Sequence, residues 1–79
     1  MTLEAIVIEI LESTAAATLD ELTALVAAHH AYTGKTKGRA LKNRIRRVLQ
    51  SERLAQHTQI DGSYVELKLG RFTGRIDLS

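Results

Sequence analysis

Lys35 to Arg47 reads KTKGRALKNRIRR, and seven of its thirteen residues are basic: Lys35, Lys37, Arg39, Lys42, Arg44, Arg46 and Arg47. Leu41, Ile45, Val48 and Leu49 recur through and beyond it at helical spacing. At about 100° per residue these four fall within roughly 100° of one another, while Arg39, Lys42, Asn43, Arg46, Arg47 and Gln50 spread over the opposite side. The pattern predicts a helix from about Thr36, a permissible N-cap, to about Glu52, with one side in a core and the other offered to a polyanion. Arg44 falls near the edge of the apolar stripe, placed to snorkel toward a backbone phosphate or an acidic side chain.

Charge is distributed very unevenly around this stretch. Residues 1 to 34 hold five acids (Glu4, Glu9, Glu12, Asp20, Glu21) and no Lys or Arg, residues 35 to 53 hold eight bases against Glu52, and the remainder balances three against three. The segments therefore carry −5, +7 and 0, which sum to the net +2 of the chain. Folded, such a chain has one strongly positive surface that attracts phosphate. The alternative is a solvated basic face partly neutralised by the acidic helices.

The 79 residues suit one small domain, near the size at which a single core suffices without disulfides or metal, and self-association would add to its stability. There is no cysteine, so no disulfide framework and no cysteine-containing zinc site. The longest strongly apolar run, Ala5 to Ile8, is far short of the roughly 20 residues of a membrane span, and no basic leader precedes it. No membrane association is expected, and the expected location is cytoplasmic or nucleoid-associated.

Working outward, Leu3, Ile6, Val7, Ile10 and Leu11 follow the i, i+3, i+4 pattern of a first helix from Thr2 to about Ser13. Ile8 lies off that stripe near Ala5, a second apolar edge and a candidate contact for a homodimer. Thr18-Leu19-Asp20-Glu21 matches a capping box, in which the Thr18 hydroxyl accepts from the N3 amide and Glu21 reaches back to the Thr18 amide. The second helix that starts there carries Leu22, Leu25, Val26 and His29 on its buried side and ends near His30, before the turn residue Gly34.

After Arg53 the period changes to two. Leu54 to Ile60 and Tyr64 to Leu69 read as strands, with Asp61-Gly62 as a hairpin signal between them. Gly70 to Ser79, with Arg71, Phe72, Arg75, Ile76 and Leu78, is open to three readings: an added strand, a dimerisation arm or a loose tail. The expected fold is α+β, mainly α, with residues 1–69 as one domain.

Helix, capped helix, basic helix and two-stranded hairpin is the order of a winged helix-turn-helix domain, and Val48 to Ala55 (VLQSERLA) resembles the junction between that family's recognition helix and its wing. Arg53 stands where the family often has Gly, and the loop Ala31 to Lys35 is longer than in the simplest members, more similar to linker-histone-like or HARE-type domains. The resemblance covers roughly residues 2 to 69. It implies binding of double-stranded DNA, with the third helix in the major groove and Gly62, at the hairpin tip, near the backbone or minor groove. The positions that would meet DNA are Lys35, Thr36, Lys37, Arg39, Lys42, Asn43, Arg46, Arg47 and Gln50. By side-chain chemistry Asn43 suits adenine and Arg39 or Arg46 suits guanine, while Lys35, Lys37, Lys42 and Arg47 suit phosphates.

One feature points to an anion independently of the resemblance. Lys35, Lys37 and Arg39 crowd a helix N-terminus, where the dipole disfavours cations by about 0.3 to 1 kcal/mol each. A phosphate on the free N–H groups would relieve the conflict.

Other chemistries find no support. Gly34-Lys35-Thr36 imitates the end of a P-loop, but His29 occupies the place of its first Gly, and a helix rather than a strand precedes it. His29 and His30 are adjacent, about 100° apart on a helix, and with His57 they make no zinc pattern. No nucleophile and base are placed together, so no enzyme, cofactor or small-molecule substrate is expected. The expected function is that of a small transcriptional regulator whose compactness suits a phage, virus, plasmid or other mobile element. The competing function is a winged-helix interaction module that docks its basic helix on an acidic protein. RNA binding is disfavoured because Tyr32, Tyr64 and Phe72 are scattered.

Overall fold

The computed structural model describes residues 2–14, 16–51, 54–60, 63–69 and 72–78. Three helices, α1 (Leu3–Ser13), α2 (Leu19–Ala28) and α3 (Gly38–Leu49), precede three strands, β1 (Ala55–Ile60), β2 (Tyr64–Leu69) and β3 (Phe72–Asp77). The fold is α+β, mainly α, with a winged-helix-like layout. No helix among the described residues is long and apolar enough to cross a membrane.

The helices start where local chemistry permits. Thr2 caps α1, its hydroxyl accepting from the Ala5 N–H at 3.1 Å. Thr18 caps α2 in the same way, accepting from the Glu21 N–H at 3.1 Å. The return half of the capping box differs from the expectation by one residue: the Glu21 carboxylate accepts from the Ala17 N–H, not that of Thr18. Either bond places an acid against the free N–H groups of the first turn, so the electrostatic benefit is kept. Helix α2 ends at Ala28, short of His30, because His29 takes extended backbone angles.

Helix α3 begins later than expected. Lys37 rather than Thr36 is its N-cap and makes no side-chain capping bond. Gly38 opens the helix at φ +61°, a left-handed conformation that glycine adopts without a Cβ penalty. The C-cap is Gln50, two residues before the expected end at Glu52, which lies outside the described residues.

The sheet is an antiparallel meander in the order β1-β2-β3. Residues 70–79 had three readings, and Phe72–Asp77 is a strand that pairs along the whole of β2, from Leu69↔Phe72 to Tyr64↔Asp77. The β1–β2 pairing is irregular between Ala55 and Gln59. The Asp61-Gly62 tip, and with it the expected DNA contact at Gly62, lies outside the described residues.

The core joins all the layers. Ile6, Val7, Ile10 and Leu11 of α1, Leu19, Leu22 and Val26 of α2, and Leu41, Ile45 and Leu49 of α3 are buried. Leu54, Val65, Leu67, Ile76 and Leu78 close the cluster from the sheet side. Leu25 and Val48 are only partly buried against it, as is Ile8, so the second edge of α1 already rests in part on this core. The end of β3 is tied to the segment before α2, the turn before β2 and α3: the Asp77 N–H donates to the Ala17 carbonyl at 3.0 Å, the Leu78 N–H donates to the Ser63 carbonyl, and the Leu78 carbonyl accepts from Arg46.

Candidate nucleic-acid interface

Burial of Leu41, Ile45 and Leu49, each 0% exposed, fixes the rotation of α3 on the molecule. From that side outward at about 100° per residue, two flanking positions come first, Lys42 and Arg46. Beyond them lies an arc of about 140° that holds Arg39, Gln50, Asn43, Arg47, Ala40 and Arg44. All six residues of this arc are exposed.

The two flanking cations are engaged within the fold. Lys42 Nζ lies 2.8 Å from Asp20 Oδ1 at the start of α2, with 23% of its side chain exposed. Arg46 Nη2 donates to the Leu78 carbonyl at 2.8 Å, which fastens α3 to the end of β3. Its Nε is buried without an acceptor among the described residues. The structure thus turns Lys42 and Arg46 toward α2 and the sheet, away from the outer arc where sequence chemistry groups them with Asn43 and Arg47. Among the described residues no acid pairs with Lys35, Lys37, Arg39, Arg44 or Arg47.

The loop before α3 is held in shape by its own hydrogen bonds. His29 Nδ1 accepts from the Ala31 N–H at 3.0 Å, and the Tyr32 N–H donates to the His29 carbonyl at 3.0 Å. The Tyr32 hydroxyl then donates across the loop to the Thr36 carbonyl. Gly34 lies under the tyrosine, so close that a Cβ there would sit 2.9 Å from the Tyr32 hydroxyl oxygen. Thr36 is half-buried in this arrangement, and its chain neighbours Lys35 and Lys37 are both exposed. No acid stands in the first turn of α3, so the clustered cations face the positive end of the dipole unrelieved.

His29 and His30 depart from the helical geometry expected of them. Because α2 stops at Ala28, their rings are not fanned apart but stacked, with centroids 4.5 Å apart, and His29 Nε2 lies 3.5 Å from Glu9 Oε2. His29 thereby joins α2 to α1 and caps the turn. Among the described residues no three His, Asp or Glu side chains converge as metal ligands do.

Two partners and one face member were not named from sequence. Asp20 and the Leu78 carbonyl are far from α3 along the chain, and nothing local reveals them. Ala40 was legible on the same helical wheel as its neighbours, but an alanine among cations attracts no notice in a search for charge. No protein-family model, curated protein or solved structure matches this chain.

Proposed function

We propose that the protein binds double-stranded DNA in the manner of a winged helix-turn-helix domain, with α3 in the major groove, and serves as a small transcriptional regulator. The observation that carries this reading is the outer arc of α3, where Arg39, Arg44 and Arg47 surround Asn43 and Gln50 without an acidic partner among the described residues. Lys35 and Lys37 extend the same charge beyond the start of the helix. Long-range attraction to phosphate follows from the cations, and the amides have the donor and acceptor pairs that match base edges. The dipole conflict at the start of α3 supports an anion there as well. One recognition helix covers few base pairs, so useful specificity calls for two copies or tandem sites.

The test is a polarisation titration with random-sequence duplex DNA at low and at elevated salt. Binding at low salt that weakens steeply as salt rises is the expected result. No binding at low salt would refute the reading and favour an acidic protein as the partner of the basic face.

A further inference from the structure

The outer arc of α3 is not uniformly long and charged. Ala40 and Asn43 are its two short exposed residues, one helical turn apart, and Arg39, Arg44 and Arg47 stand around them. On a helix Ala40 neighbours Asn43 at i+3 and Arg44 at i+4, with Arg47 on the same side two turns on, so the alanine methyl is an apolar spot among cations and one amide. On a solvated face the alanine would serve helix propensity alone. A helix about 10–12 Å across that enters a groove about 12 Å wide and 8.5 Å deep puts the arrangement to use: its short central side chains come up to the groove floor while its long cations reach the two walls.

We infer that Ala40 is a specificity-determining contact, its methyl packing against the C5-methyl of a thymine next to the base pair read by Asn43. The inference rests on the DNA-binding reading above and names what that site prefers. Alanine and the thymine methyl are matched apolar groups in an otherwise polar groove, and asparagine matches the N6 and N7 of adenine with two hydrogen bonds. Cβ atoms at i and i+3 are about 5–6 Å apart, and successive base pairs are about 3.4 Å apart, so the two residues address neighbouring pairs. Gly38, two residues before Ala40, leaves this end of the helix open, with no atom within 4 Å of the place a Cβ would occupy. Duplex RNA fits neither requirement, because its major groove is too narrow for a helix and uracil lacks the methyl.

The experiment begins with selection of duplex sites from a random library by the intact chain. Each thymine of the selected site is then replaced by deoxyuridine, and affinity is measured by polarisation. For the wild-type chain one replacement, beside an adenine, is expected to weaken binding roughly fourfold, the effect of removing one methyl-sized apolar contact. Ala40→Gly should bind the thymine and deoxyuridine duplexes equally. Ala40→Ser, which keeps the helix better than glycine does, should also lose the preference because a hydroxyl then meets the methyl. Equal tolerance of deoxyuridine at every position by the wild type, or a preference that persists in both variants, overturns the assignment. Salt-dependent binding with no enriched sequence also overturns it but leaves the DNA reading standing. Absence of binding to any duplex at low salt removes the DNA reading itself, and the inference with it.

Discussion

Replacing Lys42 and Arg47 separately by alanine distinguishes a cation held by the fold from one free to meet DNA. Both lie on α3, and both suit a phosphate by chemistry alone. Lys42, however, is paired with Asp20 at 2.8 Å, whereas Arg47 is exposed with no acid against it among the described residues. Only a cation that replaces condensed counterions contributes to the salt dependence of binding, at about 0.9 in log K against log salt per phosphate. If Lys35, Lys37, Arg39, Arg44 and Arg47 all contribute, the slope is about −4.5, and a fourfold rise in salt weakens binding roughly 500-fold. Arg47→Ala should bring the slope to about −3.6 and the loss to roughly 150-fold. Lys42→Ala should leave the slope unchanged. The Lys42–Asp20 pair has an acid that is 74% exposed, so its loss costs no more than about 1 kcal/mol and the variant stays folded. Polarisation titrations at four or five salt concentrations measure both slopes. If Lys42→Ala lowers the slope as much as Arg47→Ala does, Lys42 leaves Asp20 for the DNA, and the flank of α3 is not held apart from its outer arc.

Three further outcomes are expected. Thr18→Ala removes the cap of α2 and should cost about 1 kcal/mol, seen as a fall of roughly 4–8 °C in Tm by circular dichroism; an unchanged Tm would mean that the Glu21 bond to Ala17 suffices. Arg46→Met loses a charge-assisted bond to Leu78 worth about 1.5–3 kcal/mol but also removes a buried Nε that has no acceptor among the described residues and costs about 1–3 kcal/mol, so urea unfolding should shift by no more than about 2 kcal/mol. A loss above about 3 kcal/mol would show that the bond dominates. Gly34→Ala forces the Tyr32 ring aside and breaks its bond to Thr36, which should speed amide exchange over residues 36 to 39 and cost about 1 kcal/mol; unchanged exchange would mean that the ring does not hold the loop.

What could be read in the sequence was what depends on near neighbours. Thr18 and Glu21 are three residues apart, so their cap was visible, and the stripe of Leu41, Ile45 and Leu49 needed only the helical repeat. The start of α3 was misplaced because the left-handed angle of Gly38, not a side-chain cap, sets it. Residues 70–79 were ambiguous because Gly74 interrupts an otherwise strand-like run, and only β2 across the sheet decides their conformation. The orientations of Lys42 and Arg46 were hidden for a similar reason. A helical wheel tells which side of a helix is polar, but Asp20 and the Leu78 carbonyl, thirty-two residues beyond Arg46, are delivered by tertiary packing.

The bonds that fasten Asp77 and Leu78 to Ala17, Ser63 and Arg46 also set an order of events during translation. At about 5–20 residues per second a ribosome takes roughly 3–12 s to go from Ala17 to its partner Asp77. By the last part of that interval the apolar stripes of α1, α2 and α3 have all been synthesised, but Ile76 and Leu78, which seal them, have not. The nascent helices can pair with one another, yet they leave an oily face uncovered that a chaperone or a second nascent chain can occupy. A stall just before residue 76 would therefore release a species prone to aggregate, although it would already carry every exposed cation of α3.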